Sequence, residues 1–253
     1  MRNRMRKTDA DPLRCPRCRL HTDLCACALL APVEVATQIL LVTHKFENRK
    51  ATNTGHLAVQ CLKGARLCLR GREDQPDDPV VWDASHTPLF LFPCRDSLPL
   101  HEWLAAQAVK PKAITLVVPD GTWRQANRVR RRVSGLAGIQ AVSLPATQES
   151  YYRLRHTHLG NRLATFEAIA LALGFLEGPA IEEHLSRIFR TIVDRALWSN
   201  GRVASEEVTG GIPAGARQDG PANGPTNGPA KTMAAHHDLI LGPSRATRMS
   251  HKL

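Results

Sequence analysis

The sequence of 253 residues lacks any apolar run close to the roughly 20 residues that cross a bilayer, so we expect no membrane partner. Residues 1–9 also lack the apolar stretch of a secretory signal peptide. We therefore expect a cytoplasmic protein with reduced thiols. In that environment the seven cysteines are more consistent with a metal site than with disulfides.

Acidic side chains are scarce relative to basic ones. There are 23 Asp and Glu against 34 Lys and Arg, which gives a formal net charge of +11. Such an excess favours a polyanionic partner, with RNA or DNA ahead of an anionic membrane. The alternative is a basic protein without such a partner, because charge alone does not exclude it. Nothing in the composition indicates an obligate protein partner.

Four cysteines lie within thirteen residues near the start of the chain, as a C-x2-C pair followed by a C-x-C pair. Two close pairs joined by a short loop can surround one tetrahedral Zn²⁺ with four sulfurs, and four protein ligands make such a zinc structural. The expected ligands are Cys15, Cys18, Cys25 and Cys27. His21 as a ligand, a redox pair and unrelated core thiols are the alternatives. Residues 14–30 are thus a predicted zinc-binding segment, and residues 1–13 a disordered arm.

The centre of the chain contains the most informative stretch. Residues 113–118 form an apolar, β-branched run that predicts a buried strand, and helical spacing of apolar residues begins at Trp123. Asp120-Gly121-Thr122 is therefore a strand-to-helix turn. Open α/β sheets bind ligands just beyond the carboxyl ends of their strands, and helix starts offer free N–H groups to anions. The alternative is that Asp120 or Thr122 only caps the helix.

Strands and helices alternate around this centre, which predicts a mostly parallel sheet with flanking helices, an α/β fold. We expect further strands at 37–43, 65–69, 88–93 and 139–144, and helices at 55–62, 98–109, 163–176 and 181–197. These elements place one domain at 31–199. From Asn200 the composition changes to Gly-Pro turn repeats, so residues 200–253 are a predicted disordered tail.

Polar loops follow two of the predicted strands. Thr52, Asn53 and Thr54 can cap the next helix or hold a small polar ligand. The loop that begins at Pro93 is a second candidate on the ligand side of the sheet.

Arginine-rich segments are candidates for contact with RNA. Arg124, Arg128 and Arg131 lie on one face of the helix after the turn, with no acid among them. Tyr152, Arg153 and Arg155 suit base stacking and phosphate contact. In both cases the alternative is a surface that only faces water. Glu167 lies on an almost wholly apolar helix and needs a partner, for which Arg153 or Arg155 are the nearest candidates in sequence.

Taken in order, these motifs resemble the DTW-domain proteins over Arg14 to Leu197. They are the two cysteine pairs, Thr52-Asn53-Thr54, Asp120-Gly121-Thr122-Trp123, Ser150-x-Tyr152-Arg153-Leu154-Arg155 and Thr165-x-Glu167. The resemblance implies transfer of the 3-amino-3-carboxypropyl group of S-adenosylmethionine to N3 of a tRNA uridine, typically in the variable loop. It also implies a SPOUT-like fold with a trefoil-knotted cofactor site. Two residues depart from the family pattern, Ala164 in place of Ser and His156 in place of Lys.

The resemblance also assigns roles to site residues. The implied catalytic residues are Asp120, Thr122 and Trp123, and the implied cofactor-binding residues are Thr52, Asn53, Thr54, Pro93, Asp120, Gly121, Thr165 and Glu167. Asp120 is either the base that takes the N3 proton or the group that holds the amino group of the methionine chain. Trp123 either stacks on a base or packs in the core. An RNA methyltransferase and a non-catalytic zinc-containing RNA-binding protein remain the alternative functions.

Overall fold

The computed structural model describes residues 13–71, 77, 79–109, 113–145, 149–154 and 162–218. Residues 1–12 of the predicted arm, Arg155 and His156 lie outside these residues, as does the chain from 219 onward. Within the described part, no helix is both long and apolar enough to cross a membrane.

The described chain contains six strands and six α-helices. They are β1 Gln38–His44, α1 Lys45–Asn48, α2 His56–Cys61, β2 Arg66–Arg70, β3 Thr87–Leu91, β4 Leu98–Pro99, α3 Leu100–Ala105, β5 Ile114–Asp120, α4 Trp123–Arg132, β6 Gln140–Ser143, α5 Thr165–Glu177 and α6 Pro179–Ser199. All strand pairs are parallel, in the order β2-β1-β5-β3-β6-β4. The predicted α/β fold with flanking helices is confirmed. The predicted helix at 98–109 is shorter because its first two residues extend the sheet as β4.

Strand β5 is the centre of the sheet, and all seven of its residues are buried. Both faces are covered by helices, which explains the continuous apolar run in its sequence. Leu116 and Val118 pack on one face in the larger core cluster with α2, α5 and α6. Val117 packs on the other face with Ala126 and Val133 of the α4 side.

Strands β1 and β5 are neighbours whose connections lead in opposite directions. From β1 the chain passes through α2 to β2, and from β5 it passes through α4 to β6 on the other side of the sheet. Helix α2 packs in the larger cluster and α4 in the smaller one, so the two connections cover opposite faces. A crevice therefore opens between the carboxyl ends of β1 and β5, where open sheets of this class bind ligands.

The segment after α6 corrects the predicted start of the tail. Residues 200–218 pack back on α6, and Val208 is only 6% exposed. The backbone N–H and the hydroxyl of Thr209 donate to Asp194 at 3.1 and 2.7 Å, and Arg195 donates to the carbonyl of Gly211 at 3.0 Å. Side chains on α6 thus order this segment despite its low apolar content. The Gly-Pro repeats themselves, beyond residue 218, lie outside the described residues.

Candidate active site at the end of β5

Asp120, the last residue of β5, joins three predicted motifs through its buried carboxylate. Asn53 Nδ2 donates to Asp120 Oδ2 at 2.5 Å, and Thr165 Oγ1 donates to Asp120 Oδ1 at 2.7 Å. Asp120 is only 5% exposed. The Thr-Asn-Thr loop, the Asp-Gly-Thr-Trp turn and the start of α5 therefore meet at one carboxylate, although Asn53 and Thr165 are more than a hundred positions apart.

The loop before α2 is folded to bring Asn53 to Asp120. Asn53 N–H donates to the carbonyl of Lys50 at 3.0 Å, and Asn53 Oδ1 accepts from the N–H of His56 at 3.2 Å. Gly55 makes the approach possible, because a Cβ at this position would lie 2.8 Å from the Asp120 carboxyl carbon. Gly55 was not predicted as a site residue, although a glycine directly before a helix is a usable signal.

The start of α5 is capped by residues from other segments. Ala164 at the N-cap position offers no side-chain acceptor, and Thr54 Oγ1 instead accepts from Phe166 N–H at 3.3 Å. The Glu167 carboxylate accepts from the N–H groups of Ala164 and Tyr151, at 2.7 and 2.6 Å. The Ser150 hydroxyl also donates to Glu167, at 2.6 Å. Of the two predicted partners of Glu167, Arg153 is wrong, because it pairs with Asp194 instead, and Arg155 lies outside the described residues. A direct cofactor contact by Glu167 stays a prediction.

Arg153 has another acidic partner. Its guanidinium lies 3.0 Å from Asp194, which is fully buried on α6, and also donates to the hydroxyl of Tyr151. Tyr152 donates from its hydroxyl to the carbonyl of Thr52 at 2.7 Å, so it ties this segment to the Asn53 loop. Contact of Tyr152 or Arg153 with RNA therefore stays a prediction, and Arg155 lies outside the described residues.

Thr122 and Gln125 form a capping box at the start of α4. Thr122 Oγ1 accepts from Gln125 N–H at 3.3 Å, and Gln125 Oε1 accepts from Thr122 N–H at 2.8 Å. The capping alternative therefore holds for Thr122 but not for Asp120, and a chemical role for Thr122 stays a prediction. Gly121 allows the turn to close, because a Cβ there would lie 2.9 Å from Gln125 Oε1.

Trp123 is both packed and accessible. Its ring lies 5.1 Å from that of Phe92, one residue before Pro93, and the Arg162 guanidinium lies 4.8 Å above it. Trp123 is nevertheless 38% exposed, and Pro93 is exposed in the loop after β3. An indole with a cation on one side and an exposed edge can still stack on a ligand.

The arginines of α4 have different environments. Arg124 and Arg131 are exposed, whereas Arg128 is half-buried. Arg130 is structural, because it pairs with Asp96 at 2.6 Å and donates to the carbonyl of Ile139 at 2.8 Å. The helix thus presents cations to solvent on one side and anchors itself to the sheet with another.

Arg19 connects the segment that carries the four cysteines, here the cysteine segment, to the loop before α2 that carries Asn53, here the Asn53 loop. The sequence did not predict this link. It has a φ of 63°, and its guanidinium donates to the carbonyl of Lys50 at 3.0 Å and to Asn48 Oδ1 at 3.4 Å. Burial lowers the pKa of Arg19, and the charge of Asp120 partly offsets this. Burial and the Arg19 charge also lower the pKa of His56 to about 3, so this imidazole is neutral near pH 7. In sequence, Arg19 is one of many N-terminal arginines, so nothing distinguishes it.

The four predicted metal ligands lie together. The Sγ atoms of Cys15, Cys18, Cys25 and Cys27 are all within 4.8 Å of one another, with closest pairs at 3.3 and 3.8 Å. A tetrahedral zinc with Zn–S bonds of 2.3 Å places its sulfurs about 3.8 Å apart, so the cluster has suitable dimensions. Arg195 of α6 fixes the loop by donating to the carbonyls of Leu24 and Cys25.

The electrostatics of the thiols also fit a metal. Burial raises the pKa of Cys15, but hydrogen bonds from the backbone of Cys18 and Arg17 and from neighbouring thiols lower it to about 6 overall. Burial and the neighbouring sulfurs raise the pKa of Cys18 and Cys27. One thiolate therefore forms readily, and a bound cation would be needed to stabilise the others.

A ligand at Asp120 would meet one unsatisfied group. Thr43 lies beside Asp120 in the β1–β5 register, on the same face of the sheet, and is 1% exposed. Its hydroxyl is buried without a hydrogen-bond partner among the described residues. Buried polar atoms are rarely left unpaired, so this hydroxyl is consistent with a polar ligand in the crevice.

A family model described as the DTW domain matches residues 12–197. The chain belongs to the DTW-domain family. It is 29%, 30% and 28% identical to proteins named tRNA-uridine aminocarboxypropyltransferase 2 from Macaca fascicularis, Drosophila melanogaster and Mus musculus, over 75% of this chain in each case. The chain spans 65% of the Macaca fascicularis and Mus musculus proteins and 77% of the Drosophila melanogaster protein. No solved structure matches this DTW-domain protein significantly.

Proposed function

We propose that this DTW-domain protein transfers the 3-amino-3-carboxypropyl group of S-adenosylmethionine to N3 of a uridine in the variable loop of tRNA. The observation that carries the proposal is the junction at Asp120, where three family motifs meet in the crevice between β1 and β5. The relatives named as tRNA-uridine aminocarboxypropyltransferases support it. The SPOUT-like knot stays a prediction.

The chemistry is a displacement at carbon. The sulfonium of S-adenosylmethionine makes the γ-carbon of the methionine chain electrophilic and leaves as neutral methylthioadenosine. The N3–H bond of uridine breaks, N3 bonds to the γ-carbon, and the γ-carbon–sulfur bond breaks. The released proton passes to a base, and the pKa of roughly 9 for N3–H means that a placed carboxylate assists its removal. Correct placement decides that the γ-carbon rather than the methyl group meets N3.

Asp120 is the residue that we assign to this step. Two of the four lone-pair positions of its carboxylate are used by Asn53 and Thr165, which leaves two for a substrate. Asp120 can therefore accept the N3 proton or bind the ammonium of the methionine chain. Asn53 and Thr165 are positioning residues, because they fix the carboxylate from both sides.

The test is mass spectrometry of tRNA nucleosides after incubation with the purified protein and S-adenosylmethionine. The expected products are aminocarboxypropyluridine and methylthioadenosine. S-adenosylhomocysteine as the by-product would instead establish an RNA methyltransferase. The absence of donor binding by calorimetry, with intact RNA binding, would establish the non-catalytic alternative.

The variant Asp120→Asn separates the two roles of the carboxylate. If Asp120 is the base, the rate falls at least a hundredfold while the donor dissociation constant stays within about twofold. If Asp120 holds the ammonium, the dissociation constant rises instead, by about tenfold or more. A variant with unchanged rate and unchanged donor affinity would remove Asp120 from the reaction.

A further inference from the structure

A second concave surface lies on the α4 side of the sheet. This cleft of about 370 Å³ is bounded by α4 and by the carboxyl ends of β1 and β2, and its wall includes His44, Arg70, Asp77, Asp120, Arg128 and Arg132. Its volume is in the range of sites for small ligands. Because Asp120 contributes to the wall, a ligand in the cleft would lie next to the proposed active site.

Two guanidiniums in the cleft are uncompensated. Arg128 and Arg132 have no acidic partner in the described part of the chain, and no acid occurs in α4. Arg70, by contrast, pairs with Asp77 at 3.1 Å. Arg128 is half-buried, and a partly desolvated cation without a counterion favours an anionic ligand. Among the described residues, the cleft therefore offers two cations one helical turn apart without an acidic partner, which suits a phosphate.

An aromatic pair stands at the β1 end of the cleft. The ring of His44, which lines the cleft, stacks against that of Phe46 with 5.2 Å between centroids and an interplanar angle of 29°. Phe46 is 54% exposed, and the ammonium of Lys45 lies 5.0 Å from its ring. An exposed ring with a cation beside it is the arrangement on which unpaired bases stack in RNA-binding proteins.

We propose that this cleft binds a single-stranded nucleotide of the RNA substrate, with its phosphate on Arg128 and Arg132 and a base on Phe46. The proposal rests on the proposed function, because it places RNA at the end of β5, beside the turn that carries Asp120. The cleft lies on the α4 face, whereas the Asp120 carboxylate faces Asn53 and Thr165 on the opposite face of the sheet. The cleft therefore holds a neighbouring nucleotide of the strand rather than the uridine that reacts.

The experiment compares two pairs of substitutions. Arg128→Ala with Arg132→Ala removes the cleft cations, and Arg187→Ala with Arg202→Ala removes the same charge from the exposed surface of α6 and the segment after it, outside the cleft. Binding of a tRNA transcript and of a short oligouridylate is measured by fluorescence anisotropy at several salt concentrations. Thermal melting confirms that both proteins are folded.

The cleft pair should weaken binding of both probes at least tenfold and reduce the slope of log Kd against log salt by about 0.7, the contribution of one single-strand phosphate contact. The control pair should change Kd less than threefold. Phe46→Ala should weaken oligouridylate binding about fivefold or more without changing the salt slope. Equal losses from the two arginine pairs would overturn the proposal in favour of diffuse attraction.

The failure of this proposal is distinguishable from the failure of the proposed function. Donor affinity, measured by calorimetry, should be unchanged in the cleft pair. If the wild type binds RNA in the expected pattern but forms no aminocarboxypropyluridine, the cleft assignment stands and the proposed activity falls. If the wild type forms the product and the cleft pair binds RNA normally, the activity stands and the cleft assignment falls.

Discussion

Replacement of Arg19 by alanine should loosen the Asn53 loop and weaken donor binding, although Arg19 lies in the cysteine segment. The carbonyl of Lys50 accepts both from the Arg19 guanidinium and from the N–H of Asn53. Asn53 in turn donates to Asp120. A continuous chain of hydrogen bonds thus runs from the residue after Cys18 to the proposed active site.

The magnitude follows from the two bonds of the guanidinium. The bond to Lys50 is well formed at 3.0 Å, and a bond from a charged donor contributes about 2 kcal/mol, whereas the 3.4 Å contact with Asn48 adds little. For a folded part of this size, that loss lowers Tm by about 4–8 °C. If the whole loss of about 2 kcal/mol falls on the conformation of the Asn53 loop that binds the donor, donor affinity falls by up to about thirtyfold.

Two further variants isolate the cause. Arg19→Gly removes the same side chain but relieves the left-handed backbone at φ 63°, so it should be about 1 kcal/mol more stable than Arg19→Ala. Arg17→Ala removes a neighbouring charge whose side chain donates to Gln60 on α2, and donor affinity should stay within twofold. Isothermal calorimetry and thermal melting provide the measurements. An Arg19→Ala protein that binds the donor as tightly as the wild type would refute the coupling.

Three other outcomes are expected. The double variant Cys15→Ser with Cys18→Ser should lose one zinc equivalent, measured by atomic absorption, and should have a lower Tm. The control variant Cys94→Ser should keep its zinc. Unchanged metal content in the double variant would defeat the ligand assignment. Ala164→Ser should add a side-chain acceptor at the N-cap of α5 and raise the free energy of unfolding by about 1 kcal/mol in urea titrations. A lower free energy of unfolding would contradict the capping geometry. Because the pKa of His56 is lowered to about 3 in the folded protein, the unfolded chain binds more protons below pH 6.5, and stability falls as pH falls. Between pH 7.5 and 5.5 the free energy of unfolding should fall by about 1.4 kcal/mol, and His56→Gln should abolish this fall. Equal pH slopes in the wild type and the variant would exclude the histidine as the cause.

The sequence was sufficient for the parallel sheet because its inner strands β1 and β5 are buried on both faces and so appear as short continuous apolar runs. Strand β5 illustrates this, since all of its residues are buried. The cysteine cluster could also be predicted from the sequence, because all four predicted ligands fall within one short segment. Such features depend on near neighbours in the chain, which local patterns record.

The partners of charged side chains were harder to predict from the sequence. Glu167 needed a partner, but two backbone amides and the Ser150 hydroxyl satisfy it, and backbone groups leave no trace in composition. Arg153 instead reaches Asp194, about forty residues away. The contact of Arg19 with the Lys50 carbonyl also depends on how the cysteine segment lies across the sheet. Pairings of this kind are set by tertiary packing, and many alternatives are compatible with the same sequence pattern.

The Asp120 carboxylate has a structural role in addition to its proposed chemical role. Its carboxylate joins Asn53 and Thr165, so Asp120→Ala would remove a structural junction and a possible reacting group together. An asparagine at 120 separates the two, because the Thr165 hydroxyl can rotate to accept from the new amide while Asn53 still donates to its oxygen. A loss of rate in Asp120→Asn, with Tm and donor affinity retained, would therefore measure the chemistry alone. A loss of Tm in the same protein would show that the two hydrogen bonds, rather than the negative charge facing the crevice, are what this residue supplies.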